Sequence, residues 1–337
     1  MHLAGFVESL DHVCCRYRLK AFAPLLAQSG HHLHLTPLPR GWWQRLALGR
    51  DAVDADALIV QRKLLTPLES GLLRRRARKL IFDFDDAVWL RDSYAAKGMR
   101  DPRRTRRFRA FVSQCDIVVA GNAFLADYTA DHAPDAHISV IPTCVDTHRY
   151  QPATHSAASG RATLAWIGSS STLKGLEAIQ PLLEKLGDAL PGLSLRLVCD
   201  RFLKLKQLRQ EEIPWSEAAE AEQLSSADIG ISHLPDDLWS RGKCGLKILQ
   251  YMAAGLPVVA NSVGVQATMV RHGVTGFLAD TEAEWIEAIR LLSGNPDLRR
   301  QMGRAGRQVV EREYSVKAGV RQWSLLLDSM EKERLTA

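Results

Sequence analysis

The sequence predicts an α/β protein of two Rossmann-like domains, each built on a parallel sheet. Short β-branched or apolar runs alternate with helix-period stretches through both halves. The alternation stops at a Pro/Thr/Ser/Gly-rich stretch, Pro152 to Gly160, and then restarts. At ~100–200 residues per domain, the 337 residues are material for two cores.

In the first half the expected strands are 2–7, 32–36, 57–60, 79–84, 117–120 and 138–141, with helices over 18–28, 67–78 and 123–132. In the second half the strands are 163–167, 194–198, 229–232, 257–260 and 277–278. The helices there are 176–190, 218–225, 245–254 and 282–292. The stretch 316–330 is helix-periodic, with Val320, Trp323, Leu326 and Leu327 on one side. The expected domains are 1–152 and 160–314, with 315–337 a helix crossing back to the first. Ligands of open parallel sheets bind outside the carboxyl ends of the strands, so two facing sheets would form a cleft there.

Composition narrows the class. With 46% hydrophobic and 24% charged residues the chain is neither disordered nor collagen-like. No apolar run reaches the ~20 residues of a membrane span, and the start has no signal-peptide pattern. Six scattered cysteines without a CxxC suit a reducing compartment, so a cytoplasmic location is expected, peripheral at the inner membrane face if the basic half meets lipid. Residues 1–150 hold 22 Lys+Arg against 16 Asp+Glu, so the whole net charge of +6 sits in the first half. Two clusters supply most of it, Arg74 to Lys79 and Arg100 to Arg109. Such a face attracts nucleic acid, anionic lipid or a phosphorylated substrate, or is simply solvated. No nucleic-acid-binding motif accompanies it, so no nucleic-acid partner is expected. Trp42-Trp43, followed by Arg45, is either a membrane-interface anchor or a buried pair.

Three post-strand segments in the second half carry candidate chemistry. In the first, Gly168-Ser169-Ser170-Ser171 ends a strand and Lys174-Gly175 precedes a helix, which makes either a phosphate seat or a plain turn. In the second, Arg241-Gly242-Lys243-Cys244-Gly245 opens a helix carrying Lys247 and Gln250, so that dipole and cations face an anion, unless these are ordinary surface residues. The third, Asn261-Ser262-Val263-Gly264, reads as a tight turn.

The order of these motifs resembles the C-terminal domain of family 4 glycosyltransferases, which have the GT-B fold. The matching stretches are 166–175, 227–232, 246–260, 270–278 and 298–314. Gln250-Tyr251-Met252-Ala253-Ala254-Gly255-Leu256-Pro257-Val258-Val259-Ala260 is the most specific part of them. The resemblance implies a retaining, hexosyltransferase-type enzyme that uses a nucleotide-diphosphate sugar as co-substrate, with no cofactor and no metal. It places the donor in the C-terminal domain. The acceptor, a glycan, a lipid-linked molecule or a small molecule, falls to the N-terminal domain. Lys174 matches the lysine on the donor diphosphate, 242–245 the backbone that cradles it, and Gln250 the second glutamate of a Glu-x7-Glu pair that binds the ribose.

The pattern departs from the family in three places. The first glutamate of the pair is Gly242, with Asp236 and Asp237 as upstream substitutes. The arginine of the first loop is replaced within Ser169 to Ser171, leaving Arg241, Lys243 or Lys247 to compensate. Asp85 and Asp86 end a strand where many relatives carry His-Asp; they orient an acceptor hydroxyl, cap the next helix, or pair with a cleft arginine such as Arg16. Arg16 is also in reach of donor phosphates. Metal binding by Asp83, Asp85 and Asp86 is disfavoured because carboxylates on one strand alternate sides. The alternative functions are a non-catalytic GT-B subunit binding a partner or membrane, and a nucleotide-sugar epimerase.

Overall fold

A computed structural model describes residues 1–52, 54–155 and 160–336. The chain forms two compact units: 1–144 with 237–244 and 316–337, and 145–236 with 245–315. The segment 237–244, which the sequence groups with the second half, thus lies in unit 1.

Unit 1 holds a six-stranded parallel sheet in the order β2-β1-β3-β4-β5-β6. The strands are β1 (His2–Val7), β2 (His32–Pro37), β3 (Ala57–Gln61), β4 (Leu80–Phe84), β5 (Ile117–Ala120) and β6 (His137–Val140). The middle strands are buried on both faces, as their unbroken apolar runs require. One face packs Phe82, Phe84, Phe108, Phe111 and Trp89. The other packs Ile59, Ile81 and Val119 beneath Val320, Trp323, Leu326 and Leu327 of the helix Val316–Thr336. Along β4 the alternation sends Asp83 to this second face, where the buried turn Arg16–Lys20 lies.

Unit 2 repeats the plan with β7 (Ala162–Ile167), β8 (Leu193–Cys199), β9 (Arg209–Pro214), β10 (Ile229–Ser232), β11 (Val258–Ala260) and β12 (Gly276–Leu278). All are parallel, in the order β12-β11-β10-β7-β8-β9. The strand order reverses between β1 and β3 in unit 1 and between β7 and β10 in unit 2. Those crevices are where an open α/β sheet takes a ligand.

The expected strands are all present within a residue or two. Several elements lie outside those expected, among them the helix Pro296–Val309. β9 is a polar edge strand whose Arg196–Glu211 cross-strand pair replaces apolar patterning. The Arg100–Arg109 cluster turns out to sit mostly on the helix Pro102–Val112, and a short helix spans Trp42–Arg45. The expected helix 176–190 is two, Ser170–Glu177 and Gln180–Ala189, the second entered through Pro181 in its first turn. The expected helix 18–28 starts earlier, as Val13–Cys15 and the π-helical turn Arg16–Lys20, and resumes at Ala23–Gln28. Among the described residues no helix is long and apolar enough to cross a membrane.

Candidate functional site

In unit 1 the carboxyl ends of β3 and β4 gather charge. Asp83 is fully buried and takes Arg18 Nη2 at 2.6 Å, Arg18 Nε at 3.2 Å and Gln61 Nε2 at 2.9 Å. It is a closed structural pair. Asp85 and Asp86 follow, and the arginine that meets both is Arg62, the residue after β3. Its Nη1 donates to Asp85 at 3.0 Å and its Nη2 pairs with Asp86. Arg62 adopts φ +59°, the left-handed region that a residue with a Cβ enters only at a cost. Its N–H donates to the Asp83 carbonyl at 2.7 Å, which fixes that turn. Backbone strain therefore accompanies the charged cluster.

Lys243 reaches the other oxygen of Asp86 at 2.9 Å and lies over the Trp239 ring at 4.5 Å. The Cys14 thiol donates to Asp85 at 3.0 Å, and the Cys244 thiol to the Asp85 carbonyl at 3.1 Å. Burial pushes the Asp85 carboxyl up, but Arg62 and Arg18 outweigh it and hold it below the ordinary carboxylate range. Burial also pushes both thiols up, so they are not nucleophiles at neutral pH.

Of the three readings of Asp85 and Asp86, pairing with an arginine is the one seen, with Arg62 as the partner. Capping is not seen, since the next helix is capped by Asp101, which accepts from the N–H groups of Arg103 and Arg104. Arg16 is buried with its guanidinium 5.2 Å from the Tyr17 ring centre.

The segment 241–244 also departs from expectation. Asn122, at the end of β5, donates through Nδ2 to the carbonyls of Arg241, Gly242 and Lys243 at 3.0–3.4 Å. The N–H groups of 241, 242 and 243 close a short turn onto Asp237, Trp239 and Ser240. Only Cys244 and Gly245 of the expected cradle keep N–H groups outside that turn. Asp237 caps the turn by accepting from the Ser240 N–H at 2.8 Å.

In unit 2 the crevice between β7 and β10 opens at Gly168 and His233. The helix after β7 starts at Ser170, earlier than the sequence suggests, because Ser169 and Thr172 form a capping box. Lys174 is therefore in its last turn and exposed, rather than ahead of a helix. The Ser170 N–H and hydroxyl both donate to Asp200, at 2.6 and 2.7 Å, so a carboxylate already faces this helix start. Those two hydrogen bonds hold Asp200 below its usual range. The Ser169 hydroxyl meets that of Ser171 at 2.7 Å. Gly168 has no room for a side chain: a Cβ there would lie 2.5 Å from the Trp166 ring.

Gly245, at φ +67°, starts the helix Leu246–Ala253, and Lys247 lies 4.4 Å from the Trp166 ring centre. Gln250 is 4% exposed and donates to the Tyr150 hydroxyl at 3.1 Å, a buried contact. Asn261 holds Leu234 by both its N–H and carbonyl, at 2.9 and 2.7 Å, and is held by Gln266, which also meets Ser232. The third segment, expected as a plain turn, thus braces the loop after β10.

Arg62, Asn122 and Asp200 were missed. Each lies within two residues of a strand's carboxyl end. Among the described residues no group of three or more His, Cys, Asp or Glu is placed to hold a metal ion.

Residues 177–324 match a family model described as glycosyl transferase-like. The chain is 26% identical over 220 residues to the D-inositol 3-phosphate glycosyltransferase of Nocardia farcinica, covering 58% of this chain and 49% of that one. It is 27% identical over 205 residues to that of Pseudarthrobacter chlorophenolicus, covering 54% and 47%. The chain thus spans about half the length of the curated relatives it matches. Sucrose-phosphate synthase from Thermosynechococcus elongatus superposes with TM-score 0.72 at 14% identity, over 98% of this chain and 99% of that one. Anabaena HepE, in complex with UDP and glucose, gives 0.70 at 15% identity, over 98% and 100%. A glycosyltransferase from Rickettsia africae gives 0.74 at 14%, over 98% of each. The fold of this chain is that of the GT-B glycosyltransferases.

Proposed function

We propose that the chain is a retaining, nucleotide-sugar-dependent glycosyltransferase of the family 4 type. The observation that carries this reading is the pair of cations beside the unit 2 crevice, Lys174 on the helix after β7 and Lys247 over Trp166. Lys247 lies within the stretch that is glycosyl transferase-like, and Lys174 stands three residues before that stretch begins. Cleaving a glycosyl–phosphate bond leaves negative charge on the diphosphate, and the two cations with the N–H group of Gly245 lower that barrier. The acceptor oxygen bonds to the anomeric carbon, the carbon–phosphate oxygen bond breaks, and the acceptor proton passes to the departing phosphate. No cofactor or metal enters this scheme.

Unit 1 offers the acceptor side. Arg62 and Lys243 balance the charge of Asp85 and Asp86, and carboxylate oxygens accept from hydroxyls. The matched relatives are named for D-inositol 3-phosphate, which favours an anionic polyol as the acceptor on this basic half. HepE is solved with UDP-glucose, so uridine donors come first in a test.

The test is release of nucleoside diphosphate from a panel of nucleotide sugars, run with thermal shift. Saturation at 100 times the dissociation constant raises stability by ~2.7 kcal/mol. Lys174→Ala and Lys247→Ala are expected to lower release at least about tenfold while the ligand-free melting temperature holds. Binding without release supports the alternative, a non-catalytic GT-B subunit, which the Gly242 and Gln250 departures favour. Release unchanged in both variants sinks the phosphate role.

A further inference from the structure

Unit 1 leaves a pair of tryptophans in solvent. Trp42 and Trp43 are 51% and 70% exposed, with ring centres 3.5 Å apart and planes at 28°. They open the short helix Trp42–Arg45, entered through the exposed Arg40 and Gly41. Leu68, 61% exposed, stands in the first turn of the helix Pro67–Arg76. Arg45 Nε lies 3.6 Å from Glu69 Oε1, the residue beside Leu68. From the other end of that helix, Arg76 donates to the carbonyls of Leu46 and Leu48 at 2.7 Å each. The tryptophan turn is therefore pinned to its neighbour at two points and held out rather than tucked in.

The surroundings are cationic. The helix Pro102–Val112 packs against Pro67–Arg76 and buries Phe108, Phe111 and Val112, leaving Arg103, Arg106, Arg107 and Arg109 exposed. Arg75 and Arg78 are exposed on the adjoining stretch. Indole is favoured at a membrane–water interface, and arginine is drawn to anionic headgroups. A pre-stacked, pinned pair loses little freedom on insertion. The two rings also face each other, where a nucleic-acid site would splay them to stack bases.

We propose that this face of unit 1 docks on an anionic lipid bilayer, with Trp42, Trp43 and Leu68 entering the headgroup region and the arginines of 102–112 neutralising lipid charge. None of these residues is used by the transferase reading, so the proposal stands apart from it.

The test is flotation of the full chain with vesicles of phosphatidylcholine, with or without phosphatidylglycerol, and a parallel scan of tryptophan emission. Binding is expected only with phosphatidylglycerol, with a blue shift, and it weakens by about tenfold or more from low to high salt. Trp42→Ser with Trp43→Ser, and separately Arg106→Glu with Arg107→Glu, are each expected to weaken it by about tenfold at unchanged melting temperature. Failure to float with phosphatidylglycerol at low salt overturns the proposal, as does equal binding to both vesicle types. Retention on single-stranded nucleic acid or an acidic protein in place of vesicles overturns it too, as does full binding by the tryptophan double variant.

Discussion

Gly242 lies so close to Ala87 that a Cβ on it would sit 2.8 Å from both the Cβ and the backbone nitrogen of Ala87. The position has no room for any side chain. Asn122 holds the same backbone from the other side, through the Gly242 carbonyl at 3.3 Å. A glycine at 242 is therefore built into the packing of segment 237–244.

A larger residue there should not be tolerated. Gly242→Glu is expected to destabilise by about 1–3 kcal/mol, because backbone must shift to admit the side chain. Denaturant unfolding and limited proteolysis across 237–244 check this. A stable variant with an unchanged cleavage pattern would show the contact to be soft.

Arg62 carries two separable effects, its charge and its backbone conformation. Arg62→Ala leaves two carboxylates with one cation fewer and is expected to cost about 1–3 kcal/mol, less than a fully buried pair because solvent reaches the site. Arg62→Gly loses the same charge but relieves the left-handed residue, and should be about 1 kcal/mol more stable than the alanine variant. Equal urea midpoints for the two variants would remove the strain argument.

Asn122 caps the helix Ala123–Ala130 through Oδ1, accepting from Leu125 N–H at 2.9 Å, while its Nδ2 clamps the 241–243 carbonyls. Asn122→Ala should lose about 1–2 kcal/mol, chiefly the cap. Asn122→Asp keeps the cap and replaces the donor with a carboxylate facing carbonyls. Hydrogen exchange is expected to quicken over 238–244 in both variants, but over 123–126 only in alanine. Uniform quickening in both would mean that cap and clamp are one unit.

The lowered Asp85 carboxyl fixes the sign of one pH effect. Its contribution is fully present above the ordinary carboxylate value of ~3.9 and is lost as the pH falls through its lower folded value. Wild type should exceed Asp85→Asn in urea stability at neutral pH, with the gap closing towards strong acid. A gap that stays constant or widens on acidification contradicts that assignment.

Much of the fold was legible in the chain. Strands buried on both faces are continuous apolar runs, so β1, β5 and β10 stand at the expected residues. The turn of Gly255 into Pro257 and the one-sided pattern of 316–330 are local signals of the same kind. The edge strand β9 was not legible, since Arg209-Gln210-Glu211-Glu212 finds its partners only across the sheet. The candidate site divides likewise. Sequence marked Asp85, Asp86, Lys174, Lys243 and Lys247 as residues that follow strands or open helices. It did not show that Arg62, distant in the chain, bridges the two aspartates. Nor did it show that Asp200 meets the helix start at Ser170, or that Gln250 turns inward to Tyr150. Periodicity is written in neighbouring residues and survives translation into sequence. Which charges meet depends on strand order and on the rotation of single residues, and those are settled only when the sheets assemble.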